Sequence, residues 1–388
     1  MNYFQAFSIA ALIQFLLAIC AALGMLKLAR RNGLFNIIEA ELASPKPLLP
    51  NTKIAANTHW TGIAGLDSFL SLMVMFFTPI LDRRNISLYV QGLHFYGLLM
   101  AGWILVFVES FRFANAGLAL SYAGLAGLLM ELGGFGLFLP LWCLLHITTS
   151  PLALGPEVYA QPNATALMDL HDLKAIPWAL LLGAGVPGAM ILSTKLPYTS
   201  PGLRSKQLWI LIRIFHPVFT TLAHRILKQV TSAPDAMFAP PMQQKEAVLE
   251  GLRSIYKVAT FISAVPHLAV LAVVLLAYFS PAFIRNETRK ALKLSAIWTP
   301  APFWTSNIPK ISGLVEGISI FLTWDELVAA ASIVAWAFAI NRNSTANSKD
   351  VRELPLALLH TAFLSVVLGP AGAAVSLIRE RDETFFHV

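Results

Sequence analysis

The sequence predicts an all-α protein, a polytopic bundle of eight or nine membrane-spanning helices. Three observations predict it. The 388 residues are 56% hydrophobic, and only 13% are charged. Mean hydropathy is +0.65. The apolar residues also gather into uncharged runs (1–26, 85–108, 132–156, 175–194, 258–284 and 354–378), each as long as the ~20 residues a spanning helix needs. A soluble domain carries about 25% charged residues. Half that supply cannot cover a water-facing surface, so a soluble enzyme is set aside.

The first helix, near 5–26, has no basic residue before it and Lys27, Arg30 and Arg31 just after it. A signal peptide has the reverse pattern, so this reads as a retained span with its N-terminus outside the cytosol. The second helix, 62–81, carries Asp67, and the third, 88–109, ends on Glu109. The fourth, 118–147, is too long for one straight span and contains Gly133, Gly134, Gly136 and Pro140. A break is expected there, because neighbouring protein can satisfy the freed backbone groups. The fifth covers 175–193. The sixth, 207–223, holds Arg213, His216 and Pro217. It crosses in a nine-span arrangement and tilts or re-enters in an eight-span one. The last three are 258–279, 318–340 with Asp325 and Glu326, and 355–378.

Residues 1–388 read as one integral-membrane domain without internal repeats. Segment 229–257 is a polar connector with a short amphipathic helix. Segment 280–317 combines Arg285, Arg289, Lys290 and Lys293 with Trp298 and Trp304, which fits an interfacial connector. The net charge of +7 lies mostly between apolar runs, where orientation in the membrane explains it and nucleic acid is not called for. Cys20 and Cys143 both lie in apolar runs and form no disulfide framework. The sequons at Asn85, Asn163, Asn286 and Asn343 are candidate glycosylation sites. Both arrangements put Asn85 and Asn163 in the lumen and disagree over Asn286 and Asn343. The endoplasmic reticulum is the expected membrane.

Ionisable side chains within a membrane are costly and mark functional sites. Five carboxyls qualify: Glu109, Asp67, Asp325, Glu326 and, ranked last, Glu131. Nine spans would put the first four at one membrane depth, as an internal polar site requires, whereas eight spans would split them. Each has a plainer reading. Glu109 with Arg112 makes a helix-ending ion pair, Asp67 caps its helix, Asp325 and Glu326 sit near a helix start, and Glu131 bonds a neighbouring helix. Trp60, Phe95, Tyr96, Trp103 and Trp324 lie on or beside the same helices. With Arg112 and Asn115 they are the candidate substrate-binding residues. No histidines fall in HExxH spacing and no GxSxG is present. The one DxxD, Asp169 to Asp172, lacks the second acidic cluster that a magnesium–diphosphate site needs. No metal site and no cofactor are expected.

Three segments together, Trp60-Thr-Gly-Ile-Ala-Gly-Leu-Asp67, Glu109-Ser-Phe-Arg112-Phe-Ala-Asn115 and Trp324-Asp325-Glu326, resemble fungal integral-membrane terpene cyclases of meroterpenoid biosynthesis, of the ascochlorin and ascofuranone type. The likeness extends over most of the chain. It implies metal-independent, acid-initiated cyclisation of a prenyl or epoxyprenyl chain, with a lipophilic prenylated small molecule as partner and the bilayer as its source. A protonated carboxyl would open the epoxide or protonate an alkene, with Glu109 and Asp67 ranked first, then Asp325 and Glu326. Arg112 and Asn115 would fix the acid and aromatic faces would line the cation's path. The competing class is a proton-coupled secondary transporter of a small or lipophilic solute, which buried acids and Arg213 also suit. The missing repeats count against it.

Overall fold

A computed structural model describes residues 3–153, 167–193, 206–231, 241–280, 284–306, 308, 310–344 and 353–387. Asn163 and parts of segments 229–257 and 280–317 lie outside the described residues. The described residues form helices and one isolated bridge, Leu48 with Ala55. Helix α1 (Tyr3–Ala21) runs through a π-helical turn, Ala22–Lys27, into α2 (Leu28–Asn32). Next come α3 (Leu34–Leu42), α4 (Ala64–Ile80), α5 (Ile86–Ser110), α6 (Ala123–Gly133) and α7 (Phe135–Thr149). Then follow α8 (Leu170–Leu180), α9 (Val186–Leu192), α10 (Lys206–Ile214), α11 (His216–Thr231) and α12 (Pro241–Phe279). The connector after α12 contains α13 (Asn286–Ala291) and α14 (Leu294–Trp298), and α15 (Leu314–Ser344), α16 (Leu354–Leu368) and α17 (Pro370–His387) close the chain. The polar segment before the seventh predicted span is therefore largely the first part of α12, not a separate short helix.

Among the described residues five helices are long and apolar enough to cross a membrane: Ser8–Asn32, Ile86–Ser110, Leu170–Leu192, Lys245–Phe279 and Leu314–Ser344. The pair α10–α11, bent by 68°, passes the same test of length and composition when its two helices are taken together. These are fewer than the eight or nine expected, and the reason is directional. Helix α5 runs parallel to α15, since Gln91 bonds Thr323 and His94 pairs with Glu326 at the same offset of 232 residues. It runs antiparallel to α12, where His94 meets His267 and Arg112 meets Tyr256.

Two expected spans double back, and the second expected span is the 17-residue helix α4. The chain before α4 bonds Gln207 at the start of α10, and Asp82, just after α4, feels the charge of neighbouring Lys206. Helices α6 and α7 form a hairpin whose ends meet, because the Ser150 hydroxyl donates to Asn115 Oδ1 (2.7 Å). Its tip is Gly134, at φ +101°, a conformation open to glycine. Pro140 stays inside α7. Helices α16 and α17 form a second hairpin around Gly369 (φ +79°). Ser263 pins its tip by donating to the Leu368 carbonyl and accepting from the Gly372 N–H, both at 2.9 Å. Its far end returns to the C-terminal end of α5, where Arg381 meets Glu109.

Candidate active site

An apolar cavity of about 210 Å³ lies between α4, α5, α9, α10, α15 and the tip of the α6–α7 hairpin. Phe76, Phe77, Phe95, Tyr96, Phe135 and Phe321 supply aromatic wall. Its charged lining side chains are Asp325, Glu131 and Arg213.

The hairpin tip positions both acids. The backbone N–H of Gly136, in the first turn of α7, donates to Asp325 Oδ1. The contact needs a glycine: a Cβ on Gly136 would lie 2.5 Å from the Asp325 carbonyl oxygen. No ion-pair partner of Asp325 occurs among the described residues. Glu131, on the last turns of α6, is differently placed. Arg213 Nη1 donates to its Oε2 at 2.7 Å, while Oε1 is buried without a hydrogen-bond partner among the described residues. The Arg213 guanidinium also lies over the Tyr96 ring at 5.0 Å and the Phe77 ring at 5.8 Å. His216 donates from Nδ1 to the Arg213 carbonyl, 3.0 Å away.

The structure separates the other candidates from this cavity. Glu109 belongs to a wholly buried network at the C-terminal end of α5. Arg381 Nη2 donates to its Oε1 at 2.6 Å, Arg112 Nε approaches at 3.4 Å, and His146 Nε2 meets its Oε2 at 3.2 Å. Asp382 binds both guanidiniums and accepts from the Tyr256 hydroxyl at 2.6 Å. Asn115 donates to the Glu109 carbonyl at 2.8 Å. Two guanidiniums thus face two carboxylates.

Asp67 accepts from the N–H and hydroxyl of Thr61, both at 2.7 Å, and from the Gly62 N–H at 3.2 Å, shaping the turn that starts α4. Trp60 donates to Ser71 Oγ at 3.1 Å. Trp103 stacks on Phe107. Trp324 packs over Gly24 and donates to the Ala301 carbonyl at 2.9 Å. Glu326 points away from the cavity towards His94 and Trp298. Of the predicted substrate-binding residues, Phe95 and Tyr96 line the cavity.

The shared depth expected of Asp67, Glu109, Asp325 and Glu326 does not occur. Because α5 and α15 are parallel, Glu326 stands level with His94, and Glu109 lies 15 residues further along α5, about 22 Å away at helical rise. Glu131 ranks last on sequence alone, and nothing in the sequence singles out Phe76, Phe77, Phe135, Phe321, Arg381 or Asp382. An arginine within an apolar segment, Arg213, was the available signal for a buried partner acid. The DxxD aspartates are bound locally: Lys228 Nζ lies 2.9 Å from both Asp169 and Asp172. Burial alone would raise the Asp169 carboxyl, but Lys228 and the His171 N–H hold it below its ordinary value.

The CtvD domain family matches residues 9–386. Terpene cyclase ctvD of Aspergillus terreus is 26% identical over 355 residues, covering 91% of this chain and 93% of that protein. Terpene cyclase ascI of Acremonium egyptiacum is 25% identical over 344 residues, 85% of this chain and 80% of that one. Terpene cyclase atmA of Aspergillus flavus is 22% identical over 362 residues, 90% of each. No solved structure matches the chain.

Proposed function

Because the chain belongs to the CtvD family of terpene cyclases, we propose that it is a membrane-embedded cyclase that uses a carboxylic acid, without metal, to start cyclisation of a prenyl or epoxyprenyl meroterpenoid precursor. The carrying observation is an aromatic-walled cavity holding two carboxyls in unlike surroundings. Unlike surroundings assign unlike roles. Glu131 is paired with Arg213 and is the anion. Asp325 has one backbone N–H on Oδ1 and no cation beside it, so it is the acid.

Asp325 gives its proton to the terminal epoxide oxygen, or to a terminal alkene carbon. The C–O bond breaks, or the π bond is consumed, leaving a tertiary cation. Each following double bond supplies the electron pair for a new C–C bond. The last cation loses a proton from carbon to Glu131, so the substrate is isomerised and no atom is added. Ring faces such as Phe95 and Phe135 each stabilise passing cations by about 0.5–2 kcal/mol, and the apolar wall keeps water from quenching them. The engagement of Asp169 and Asp172 by Lys228 supports a start without a metal–diphosphate group. The lipophilic precursor would enter from the bilayer, with the endoplasmic reticulum as the expected membrane.

The test is an epoxyfarnesyl substrate with purified protein in detergent, with and without chelator. Asp325→Asn still accepts the Gly136 N–H but has no acid proton. Its kcat should fall by ~10²–10⁴ while the protein accumulates normally. Wild-type kcat in this variant, or loss of wild-type activity on chelation, would refute the assignment.

A further inference from the structure

Four glycines line the cavity: Gly92, Gly133, Gly134 and Gly188. Gly188 lies within α9, where glycine costs helix stability relative to alanine. What it admits is a side chain across the cavity wall. A Cβ on Gly188 would lie 2.8 Å from the Tyr96 hydroxyl oxygen and 3.7 Å from Tyr96 Cζ. The hydroxyl alone is too close, and the ring carbon stands at ordinary van der Waals distance. Gly92 also faces a lining side chain, Ile80. There the atom met is Cγ2 of a β-branched residue with little freedom at χ1, so α4 and α5 would have to part. A side chain at 188 needs only one aromatic ring to swing.

The surroundings decide where that ring goes. The Arg213 guanidinium lies over it, 5.0 Å from its centroid, and is itself held by Glu131 at 2.7 Å. Helix α9 closes the side of the hydroxyl. The open side is the cavity, which Tyr96 lines. Position along the bundle gives the swing its consequence. The offset of 232 residues between α5 and α15 puts Asp325 level with Leu93. Tyr96 is therefore three residues further along α5, about 4.5 Å at helical rise. Beyond it Leu99 is the last residue of α5 in the lining. Tyr96 thus stands near the end of the cavity past the proposed acid, where the room left for a chain is decided.

Resting on the cyclase reading proposed above, we infer that Gly188 and Tyr96 form a length gauge for the prenyl chain. The missing side chain at 188 lets the Tyr96 ring lie back against α9 and keeps this end of the cavity open. A chain whose epoxide sits at Asp325 must fold its remaining isoprene units within the same walls. Each added unit presses on the end that Tyr96 forms. A larger residue at 188 drives the ring inward and favours a shorter chain. A smaller residue at 96 opens the end and favours a longer one. Tyr96 touches substrate, whereas Gly188 acts through Tyr96 and is a positioning residue.

The experiment compares substrates that share one head group and carry terminally epoxidised geranyl, farnesyl or geranylgeranyl chains. Purified protein in detergent is assayed with each, and the readout is the ratio of kcat/KM between chains, which cancels any loss of folded protein. Gly188→Ala should lower the farnesyl-to-geranyl ratio by ~10-fold or more, the scale on which pockets discriminate apolar groups. Adding Tyr96→Phe removes the clashing oxygen and should restore most of that ratio. Tyr96→Leu alone should raise the geranylgeranyl-to-farnesyl ratio, and it decides the matter where Gly188→Ala fails to accumulate. An unchanged ratio in Gly188→Ala or in Tyr96→Leu overturns the gauge. So does a double variant whose ratio stays as low as that of Gly188→Ala. A wild-type protein that cyclises none of the three chains would instead remove the cyclase reading, and the gauge with it.

Discussion

Replacing Glu109 by Gln tests whether this carboxyl acts on substrate or holds the bundle together. Its side chain is fully buried, as are those of Arg112, Arg381 and Asp382. The variant leaves two guanidiniums facing one carboxylate. It also creates a donor conflict. Trp336 Nε1 can only donate, and it lies 3.3 Å from His146 Nδ1. Neutral His146 therefore carries its proton on Nε2 and donates to Glu109 Oε2. An amide offers one oxygen, so it can accept from Arg381 or from His146 but not from both. Arg381 Nη1 already lacks a partner among the described residues and can absorb no further loss.

Breaking one member of a buried ionic group costs about 3–5 kcal/mol, a large fraction of typical folding stability. Glu109→Gln should therefore unfold at a clearly lower temperature in detergent and accumulate poorly, while kcat per folded molecule stays close to wild type. Adding Arg381→Met restores charge balance, and the double variant should be more stable than the summed losses predict by ~1 kcal/mol or more. A Glu109→Gln protein with wild-type stability and no product would refute this reasoning and return Glu109 to the reacting atoms.

Two further outcomes follow from the hairpin geometry. Gly136→Ala would place a Cβ 2.5 Å from the Asp325 carbonyl oxygen and 3.0 Å from its Cα, and neither backbone atom can move aside cheaply. A stability loss of about 1–3 kcal/mol should accompany a fall in kcat, and wild-type behaviour in both would show that the tip does not position Asp325. The parallel course of α5 and α15 puts Asn85 and Asn286 at one end of the bundle and Asn343 at the other. Lys27, Arg30 and Arg31 share the end of Asn85, so the positive-inside bias assigns that end to the cytosol, against the lumenal side expected of Asn85 from the sequence. The enzyme-sensitive glycan mass should therefore shrink by one unit in Asn343→Gln and stay unchanged in Asn85→Gln and Asn286→Gln.

The helical, apolar character of the chain was legible because composition and run length report it directly. Direction was not. A re-entrant hairpin and a spanning helix have the same composition, and what turns the chain back at Gly134 is a contact with Asp325, 189 residues from Gly136. The glycines announced a break but could not say where the chain went next. The site behaved similarly. Asp325 and Glu326 were legible as costly buried acids. Adjacent residues on a helix point about 100° apart, so one faces the cavity and the other faces His94, and only packing decides which. Glu131 gained its importance from Arg213, 82 residues away. The Glu109–Arg112 pair looked like a site because its spacing is local and conspicuous, whereas Arg381 and Asp382, which complete it, sit at the far end of the chain.

The two hairpins explain why one helix can hold two acids with different chemistry. A continuous spanning helix satisfies its own backbone groups and offers few free N–H or C=O partners in mid-bundle. A hairpin tip brings such groups there. The α6–α7 tip presents the Gly136 N–H to Asp325, fixing the acid while leaving its second oxygen for the cavity. The α16–α17 tip presents the Val366 carbonyl to His267, which reaches Glu326 through His94. One tip supplies a donor and the other an acceptor, on two faces of the same turn of α15. Disrupting the α6–α7 tip should therefore reduce product formation from the first cycle onward, whereas loosening the α16–α17 tip at Ser263, which holds the Leu368 carbonyl and the Gly372 N–H, should lower stability without changing the products formed.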